Sequence, residues 1–233
     1  MSEPPVLLLL TGLLSDEVVW EAQARVLDDL AVIRIMHFRG FGDIPRMAEA
    51  VLEVAPERFS LAGHSMGGRV ALEVFRHAAD RIVRLGLFNT GIYPAHEKEA
   101  SERNKLVRIA REEGMAALAE AWVPTVIHPD RLNDAQLVSA LAAMAERNTP
   151  EQFENQIGAL VNRPDMRDLL PKIACPTMVL AGRDDAWASV NQHIEMSGII
   201  SSANLSIIEH CGHMTTMERP DEVSGLMREW MMR

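Results

Sequence analysis

The strongest constraint on the fold is a repeated alternation in the first 91 residues of the chain. A short, continuous apolar run ends in a glycine-containing loop, and a segment with helical periodicity follows it. Continuous apolar runs are typical of parallel strands that are buried on both faces of a sheet. The alternation therefore predicts an α/β fold, with a mostly parallel sheet of about six strands flanked by helices.

Six runs in the chain fit this strand pattern. They span residues 6–10, 32–36, 59–63, 82–88, 177–182 and 205–210. After the first run, Ser15 is a predicted helix N-cap, and Val19, Ala22, Val26 and Leu30 form the predicted apolar stripe of the helix. Other helices are predicted from about residue 44 to 55, from 190 to 199, and from Pro220 onward.

Residues 92–172 interrupt the alternation, because they contain helical patterns and no convincing strand run. Prolines at positions 124, 129, 150 and 164 divide these patterns. We therefore expect one α/β core, formed by residues 1–91 and 173–233, with an all-helical cap or lid formed by residues 92–172.

Composition narrows the classes of partner. The formal net charge of −10 and the absence of a Lys/Arg cluster argue against binding to nucleic acid. The two cysteines, Cys175 and Cys211, do not form a disulfide framework or a zinc-binding pattern, and no metal or organic cofactor is predicted. The apolar run near the start is too short to span a bilayer and lacks a basic flank, so we expect a cytoplasmic protein without a membrane partner.

The segment Gly63-His64-Ser65-Met66-Gly67 fits the pattern G-x-S-x-G between a predicted strand and a predicted helix. A residue on so tight a turn takes a strained backbone conformation, and its neighbours two positions away must be small. The turn exposes the Ser65 hydroxyl at the end of the sheet. Ser65 is therefore the candidate nucleophile.

A serine hydroxyl needs a base within hydrogen-bond reach and an acid that orients this base. Asp184 and Asp185 both follow the strand at 177–182 and are candidates for the acid. His213, in the loop after the last strand, is the preferred base. His210 is expected to be structural, and His64 is expected to point beside the nucleophile.

At this point the chain resembles the α/β-hydrolase superfamily over nearly its whole length. The segments "LLTGLLSD", "FRGFGD", "GHSMGG", "VLAGRDD" and "HCGHMTTMERP" occur in the order expected for that superfamily. The resemblance implies Ser65 as nucleophile, Asp185 rather than Asp184 as acid, and His213 as base. The opening hairpin usual in the superfamily is missing, which again favours about six strands.

The resemblance also implies an oxyanion hole formed by the backbone N–H groups of Met66 and Leu13. Relatives usually carry His-Gly in the first loop, where this chain has Thr11 and Gly12. Because the donors belong to the main chain, this departure leaves the hole itself possible. It puts in doubt any part that the usual histidine side chain plays in shaping the loop.

The helical cap is expected to cover Ser65, so its side chains would shape the substrate pocket. Candidate pocket residues are Trp187, Trp122, Met144, Phe153 and Ile157, for which packing between helices is the alternative. Arg69 and Arg39 could meet an anionic substrate, although such residues are more often solvated or structural.

The predicted function is that of a serine esterase or enol-lactonase-like hydrolase, which cleaves a small or medium carboxylic ester, lactone or thioester through an acyl-enzyme. Carbon–carbon bond hydrolases, perhydrolases and non-catalytic ligand sensors with the same fold remain alternatives. The expected partner is a small ester-type molecule, and the chain could be a monomer or a homodimer.

Overall fold

The computed structural model describes residues 4–233, and within them a single sheet holds six strands. The strands are β1 (Val6–Leu10), β2 (Val32–Met36), β3 (Phe59–His64), β4 (Ile82–Phe88), β5 (Thr177–Gly182) and β6 (Ala203–Ile208). Their order in the sheet is β2-β1-β3-β4-β5-β6, and every pairing is parallel. The predicted fold class is confirmed.

The apolar runs form strands because the sheet buries them on both faces. Every residue of β3 and β5 is buried, and so are the last four residues of β1. The strand order reverses between β1 and β3, which leaves a crevice beyond the carboxyl ends of these two strands. Ser65 directly follows β3 at this crevice, and the loop that carries Leu13 follows β1.

The described residues form ten α-helices. They are α1 (Glu21–Leu27), α2 (Ile44–Val54), α3 (Met66–Ala78), α4 (Glu97–Glu112), α5 (Met115–Val126), α6 (Ala135–Glu146), α7 (Pro150–Val161), α8 (Val190–Ile199), α9 (Thr215–Glu218) and α10 (Pro220–Met232). The four helices α4–α7 lie in the chain between β4 and β5 and are called the insertion helices below. None of the helices in residues 4–233 is long and apolar enough to cross a membrane.

The first helix differs from its prediction. Asp16, and not Ser15, accepts a hydrogen bond from the Val18 N–H and caps a 3₁₀ turn at Glu17–Trp20, which precedes α1. Because a 3₁₀ turn has about three residues per turn, it rotates the buried face of the segment that follows. Val26 of the predicted stripe is consequently 39% exposed, and Leu27 is buried instead.

The last strand also differs from its prediction. The apolar pattern suggested residues 205–210, whereas pairing with β5 places β6 at Ala203–Ile208. His210 lies beyond the strand in a left-handed conformation, with φ of +51°, and is exposed. The pairing partner on β5 therefore decides where the edge strand begins, and the apolar run does not.

Candidate active site

The turn between β3 and α3 holds Ser65 in a strained conformation, with φ of +56°. Its glycines are required by close backbone contacts: a Cβ at Gly63 would lie 2.1 Å from the Gly67 carbonyl oxygen, and a Cβ at Gly67 would lie 2.3 Å from the Leu10 carbonyl oxygen. The Thr90 hydroxyl donates to the Ser65 carbonyl at 2.7 Å. Backbone sterics and this hydrogen bond together hold the serine at the edge of the sheet.

Three predicted residues meet at this edge and are called the serine–histidine–aspartate cluster: Ser65, His213 and Asp185. The Ser65 Oγ lies 2.8 Å from the His213 Nε2, and the His213 Nδ1 lies 2.8 Å from the Asp185 Oδ2. Asp184 points elsewhere, because its carboxylate lies 3.4 Å from the His128 Nε2 and its side chain is 42% exposed. The chain of hydrogen bonds can carry the serine proton to an imidazole whose other nitrogen faces a carboxylate.

The Asp185 carboxylate has a full set of donors. It accepts hydrogen bonds from the Asn89 side chain at 2.9 Å and from the backbone N–H groups of Trp187 and Ala188 at 2.8 and 2.9 Å. Burial alone would raise the pKa of Asp185, but His213, Asn89 and the Ala188 N–H together hold that pKa below its ordinary value. The carboxylate is therefore ionised at neutral pH and can stabilise an imidazolium.

Sequence reasoning missed Asn89, which binds Asp185 from the end of β4. Asn89 is fully buried, has a φ of +48°, and accepts a hydrogen bond from the Thr215 hydroxyl at 2.6 Å. The sequence signal that could have identified Asn89 as a site residue is its position directly after a predicted buried strand. Without knowledge of the strand order, however, the signal does not connect Asn89 to a residue 96 positions away.

Sequence reasoning also missed Glu218, which fixes the loop around His213. The buried Glu218 carboxylate accepts from the backbone N–H groups of Gly212, Met214 and His128 at 3.0, 3.2 and 2.8 Å. Burial raises the pKa of Glu218, although these three N–H groups act in the opposite direction. Two of its donors flank His213 in the chain, so Glu218 positions the candidate base.

The insertion helices hold the same loop from the other side. The backbone N–H groups of His213 and Met214 both donate to the carbonyl of Val126, the last residue of α5, at 2.9 and 3.1 Å. The candidate base is therefore attached to the helical insertion as well as to the core.

His64 supports the base from inside the core. Its Nε2–H donates to the backbone carbonyl of His213 at 2.8 Å, and burial lowers the pKa of His64 to about 3. The imidazole is therefore neutral at physiological pH. The prediction that His64 points beside the nucleophile missed this contact with the candidate base.

The two predicted oxyanion donors lie at the cavity over Ser65. The N–H groups of Met66 and Leu13 have no acceptor among the described residues, so both are free to bind a substrate oxygen. Leu14 is left-handed, with φ of +59°. Its N–H donates to the Gln156 side chain at 3.0 Å, and its carbonyl accepts from the Asn148 side chain at 3.1 Å.

A cavity of about 870 Å³ opens over Ser65, and Trp122 and Trp187 are among the residues that line it. The prediction for Met144, Phe153 and Ile157 is wrong, because none of the three lines this cavity. They are at most 3% exposed and pack in the apolar core around the insertion helices. Helical periodicity identifies a buried face, but it does not separate the face that packs on other helices from the face that meets a pocket.

Of the two arginines that were considered for binding an anionic substrate, only one lines the cavity. Arg69 lines the cavity, whereas Arg39 does not and pairs with Asp16 at 3.0 Å.

Away from the serine, His128, Asp130 and His210 each bring one possible metal ligand atom within 4.8 Å of the others. The two cysteine thiols are free.

The sequence matches the model of the alpha/beta hydrolase family over residues 8–226. The chain belongs to this family. A 2-hydroxy-6-oxononadienedioate/2-hydroxy-6-oxononatrienedioate hydrolase from a Pseudomonas species is 24% identical over 199 residues, which cover 82% of this chain and 70% of that relative.

Two solved structures are similar over almost the whole chain. A thermophilic esterase from Thermogutta terrifontis superposes with a TM-score of 0.87 at 27% identity, covering 97% of this chain and 89% of the esterase. The enol-lactonase from Burkholderia xenovorans LB400 gives a TM-score of 0.87 at 24% identity, covering 100% and 93% of the two chains. The relatives and structural neighbours are hydrolases of the α/β fold, and this chain is a hydrolase of that class.

Proposed function

We propose that the chain is a serine hydrolase that cleaves a small or medium carboxylic ester, lactone or thioester. The observation that carries this proposal is the unbroken series of hydrogen bonds from the Ser65 hydroxyl through His213 to Asp185, with both distances at 2.8 Å. The geometry matches what a general base and its orienting acid require.

The reaction takes place in two halves. The Ser65 oxygen attacks the ester carbonyl while the His213 Nε2 takes the serine proton, and the tetrahedral oxyanion binds the N–H groups of Met66 and Leu13. The protonated imidazole then gives its proton to the leaving alcohol, lactone oxygen or thiol as the bond to the acyl carbon breaks. A water molecule then attacks the acyl-serine while His213 takes one of its protons. His213 returns this proton to the Ser65 oxygen as the acyl–oxygen bond breaks, which releases the carboxylic acid and restores the free serine and the neutral imidazole.

We also propose that residues 92–172 act as a cap over residues 1–91 and 173–233. The lining of the cavity supports this division, because α4 and α5 contribute Arg103 and Trp122 while the core contributes Ser65 and His213. The cap would select the substrate by shape, and the core would supply the reacting groups.

The first test is labelling by a fluorophosphonate probe together with turnover of p-nitrophenyl butyrate. We expect the wild type to be labelled and active, Ser65→Ala to lose both properties, and His213→Ala to lose at least about a thousandfold in kcat. Ser201→Ala, in an exposed turn before β6, is the matched serine control and should keep wild-type activity. A folded wild type that neither labels nor turns over any ester would contradict the proposal and favour a ligand sensor.

The Pseudomonas relative favours a second candidate, hydrolysis of a carbon–carbon bond next to a ketone by the same residues. Turnover of a vinylogous diketone beside p-nitrophenyl butyrate distinguishes the two. A kcat/KM for the diketone that exceeds the value for every ester tested would replace the ester assignment.

A further inference from the structure

A buried cluster of charged side chains lies on the wall of the cavity that contains Ser65. It consists of Arg69, Arg103, Arg163 and Glu99, and all four residues line the cavity. The three arginines are only 7–8% exposed. Three positive charges face one negative charge, so the cluster carries an excess of two positive charges in a chain whose formal net charge is −10.

Most N–H groups of Arg163 have acceptors within the protein. Its Nη1 and Nη2 donate to the two carboxylate oxygens of Glu99 at 2.6 and 2.7 Å, and its Nε donates to the Tyr93 carbonyl at 2.9 Å. Arg163 and Glu99 form a bidentate pair that joins the end of α7 to α4. Glu99 and the carbonyls of Tyr93 and Leu160 occupy four of the five N–H groups of Arg163, so Arg163 has mainly a structural role.

Arg69 and Arg103 are different, because most of their N–H groups have no protein acceptor. Arg69 donates from Nη1 to the Tyr93 carbonyl at 3.0 Å, and Arg103 donates from Nε to Glu99 at 2.9 Å. No other hydrogen bond of either guanidinium forms within residues 4–233. None of these unpaired nitrogens is fully enclosed by protein, so they are open to the cavity that both residues line, where an anion can accept hydrogen bonds from them.

The other charged groups on the cavity do not neutralise the two arginines. Glu102 pairs with Lys105 at 2.7 Å, and Asp184 lies beside His128. Burial lowers the pKa of Arg69, and neighbouring Arg163 lowers it further. Since an arginine keeps its proton in proteins, an anion bound in the cavity would offset an unfavourable burial of charge.

Both guanidinium groups belong to residues that line the same cavity as Ser65. Arg69 lies one helical turn after Ser65, in the first turns of α3. Arg103 reaches in from α4 and lies over the ring of Trp187, 5.0 Å from the ring centroid, and Trp187 follows Asp185 by two positions. Stacking on an aromatic ring fixes the plane of a guanidinium and leaves its edge free for a planar anion.

We infer that the substrate carries a carboxylate, which Arg69 and Arg103 bind while Ser65 attacks an ester carbonyl elsewhere in the same molecule. This inference rests on the proposed ester hydrolysis and narrows its substrate class. Because Arg69 is so close to the serine in the helix, the carboxylate lies a few bonds from the scissile carbonyl. Half-esters of short dicarboxylic acids fit this description.

The test compares two esters of equal chain length, p-nitrophenyl hydrogen glutarate and p-nitrophenyl valerate. We expect the wild type to have the higher kcat/KM for the glutarate half-ester. Arg69→Met and Arg103→Met should each lower the ratio of the two kcat/KM values about tenfold to a hundredfold, as expected for a lost charge-assisted hydrogen bond. Arg111→Met, an exposed α4 arginine paired with Glu154, is the matched control and should leave the ratio unchanged.

The inference is overturned if the wild type prefers the valerate, or if folded Arg69→Met and Arg103→Met keep the wild-type ratio. Should Arg69→Met fail to fold, Arg69→Lys keeps the charge but loses the planar fork, and the ratio should still fall.

If neither ester reacts, the fluorophosphonate and ester tests above decide the proposed function, and glutarate binding to Ser65→Ala tests the arginine site separately. Calorimetry should then show glutarate binding that is lost when Arg69→Met is added, and absent binding overturns the inference. Tighter binding of inorganic phosphate than of glutarate would replace carboxylate by phosphate and would also overturn it.

Discussion

The two backbone donors proposed for the oxyanion hole, Met66 and Leu13, are held in place by different kinds of contact. Met66 follows Ser65 in the turn between β3 and α3, where main-chain atoms of neighbouring segments approach so closely that Gly63 and Gly67 have no room for a Cβ. Leu13 belongs to the loop after β1, residues 11–16, which side chains from distant helices hold. We refer to these two regions as the serine turn and the Leu13 loop.

The Leu13 loop depends on the insertion helices. Gln156 of α7 accepts from the Leu14 N–H and donates to the Phe38 carbonyl, and Asn148 donates to the Leu14 carbonyl. The Asp16 carboxylate, 2% exposed, pairs with Arg147 after α6 at 2.7 Å. One half of the proposed hole is thus a property of local backbone packing, and the other half is assembled by residues more than 130 positions away.

The largest effect is expected at the serine turn. Gly63→Ala places a methyl group 2.1 Å from the Gly67 carbonyl oxygen, and since the obstacle is backbone, no side-chain movement relieves it. We expect the free energy of unfolding to fall by more than about 3 kcal/mol, together with loss of activity. Urea denaturation measures the change.

The control for this prediction is Gly198→Ala, in the exposed part of α8, where an added Cβ meets no atom within 4 Å. There we expect a gain of about 0.5–1 kcal/mol from the higher helix propensity of alanine. A stable, active Gly63→Ala protein would show that the serine turn tolerates displacement and is not fixed by sterics.

An intermediate effect is expected in the Leu13 loop. Gln156→Leu leaves the buried Leu14 N–H without a partner and removes one of the two donors to the Phe38 carbonyl, which should cost about 1–3 kcal/mol of stability. Because the Leu13 N–H then shifts, we expect kcat for an ester to fall by about tenfold to a hundredfold with a smaller change in KM. Steady-state kinetics well below the melting temperature separate this effect from unfolding.

Gln136→Leu, an exposed position on α6, is the matched control and should change neither constant. If Gln156→Leu lowers stability but leaves kcat unchanged, the Leu13 loop holds its conformation without α7, and the contrast between the two regions disappears.

The smallest effect is a pH dependence that separates the two regions. The pKa of His64 is lowered by burial from its ordinary 6.5 to about 3, so below pH 6.5 the unfolded chain binds a proton that the folded chain cannot bind. Stability therefore declines as the pH falls from 6.5 toward 3. The pKa of Asp16 in the Leu13 loop is also lowered, but its contribution to stability is complete above its ordinary 3.8.

Between pH 6 and 5 the slope of stability against pH should thus report on His64 in the serine turn and not on Asp16. We expect His64→Gln to reduce this slope by up to about 1.4 kcal/mol per pH unit, measured by urea denaturation. An unchanged slope in His64→Gln would mean that His64 is protonated in the folded protein.

The same contrast explains what could be predicted from the sequence. The limits of β1, β2, β4 and β5 follow from apolar runs, and the serine turn follows from the spacing of its glycines, because both are local properties of the chain. The proximity of Ser65, Asp185 and His213 could be predicted because all three follow strands whose carboxyl ends lie at the same end of the sheet.

Two of the residues that were missed, Gln156 and Asn89, act over long distances. Gln156 is 142 positions from Leu14, Asn89 is 96 positions from Asp185, and each reads in the sequence as an ordinary polar residue. The wrong pocket residues, among them Phe153, failed for the related reason that periodicity shows burial but not the neighbour that causes it. Both failures concern pairings that only tertiary packing decides.

The attachment of the His213 loop to α5 restricts how substrate can reach the serine. The Val126 carbonyl accepts from the N–H groups of both His213 and Met214, and Glu218 joins Gly212 to His128. Any movement that swung α5 outward would have to break these bonds or carry the imidazole away from its oxygen partner. If substrate entered by such a movement, the proposed hydrogen bonds between Ser65, His213 and Asp185 would break each time. Entry through the existing opening of the cavity would keep these hydrogen bonds intact throughout turnover.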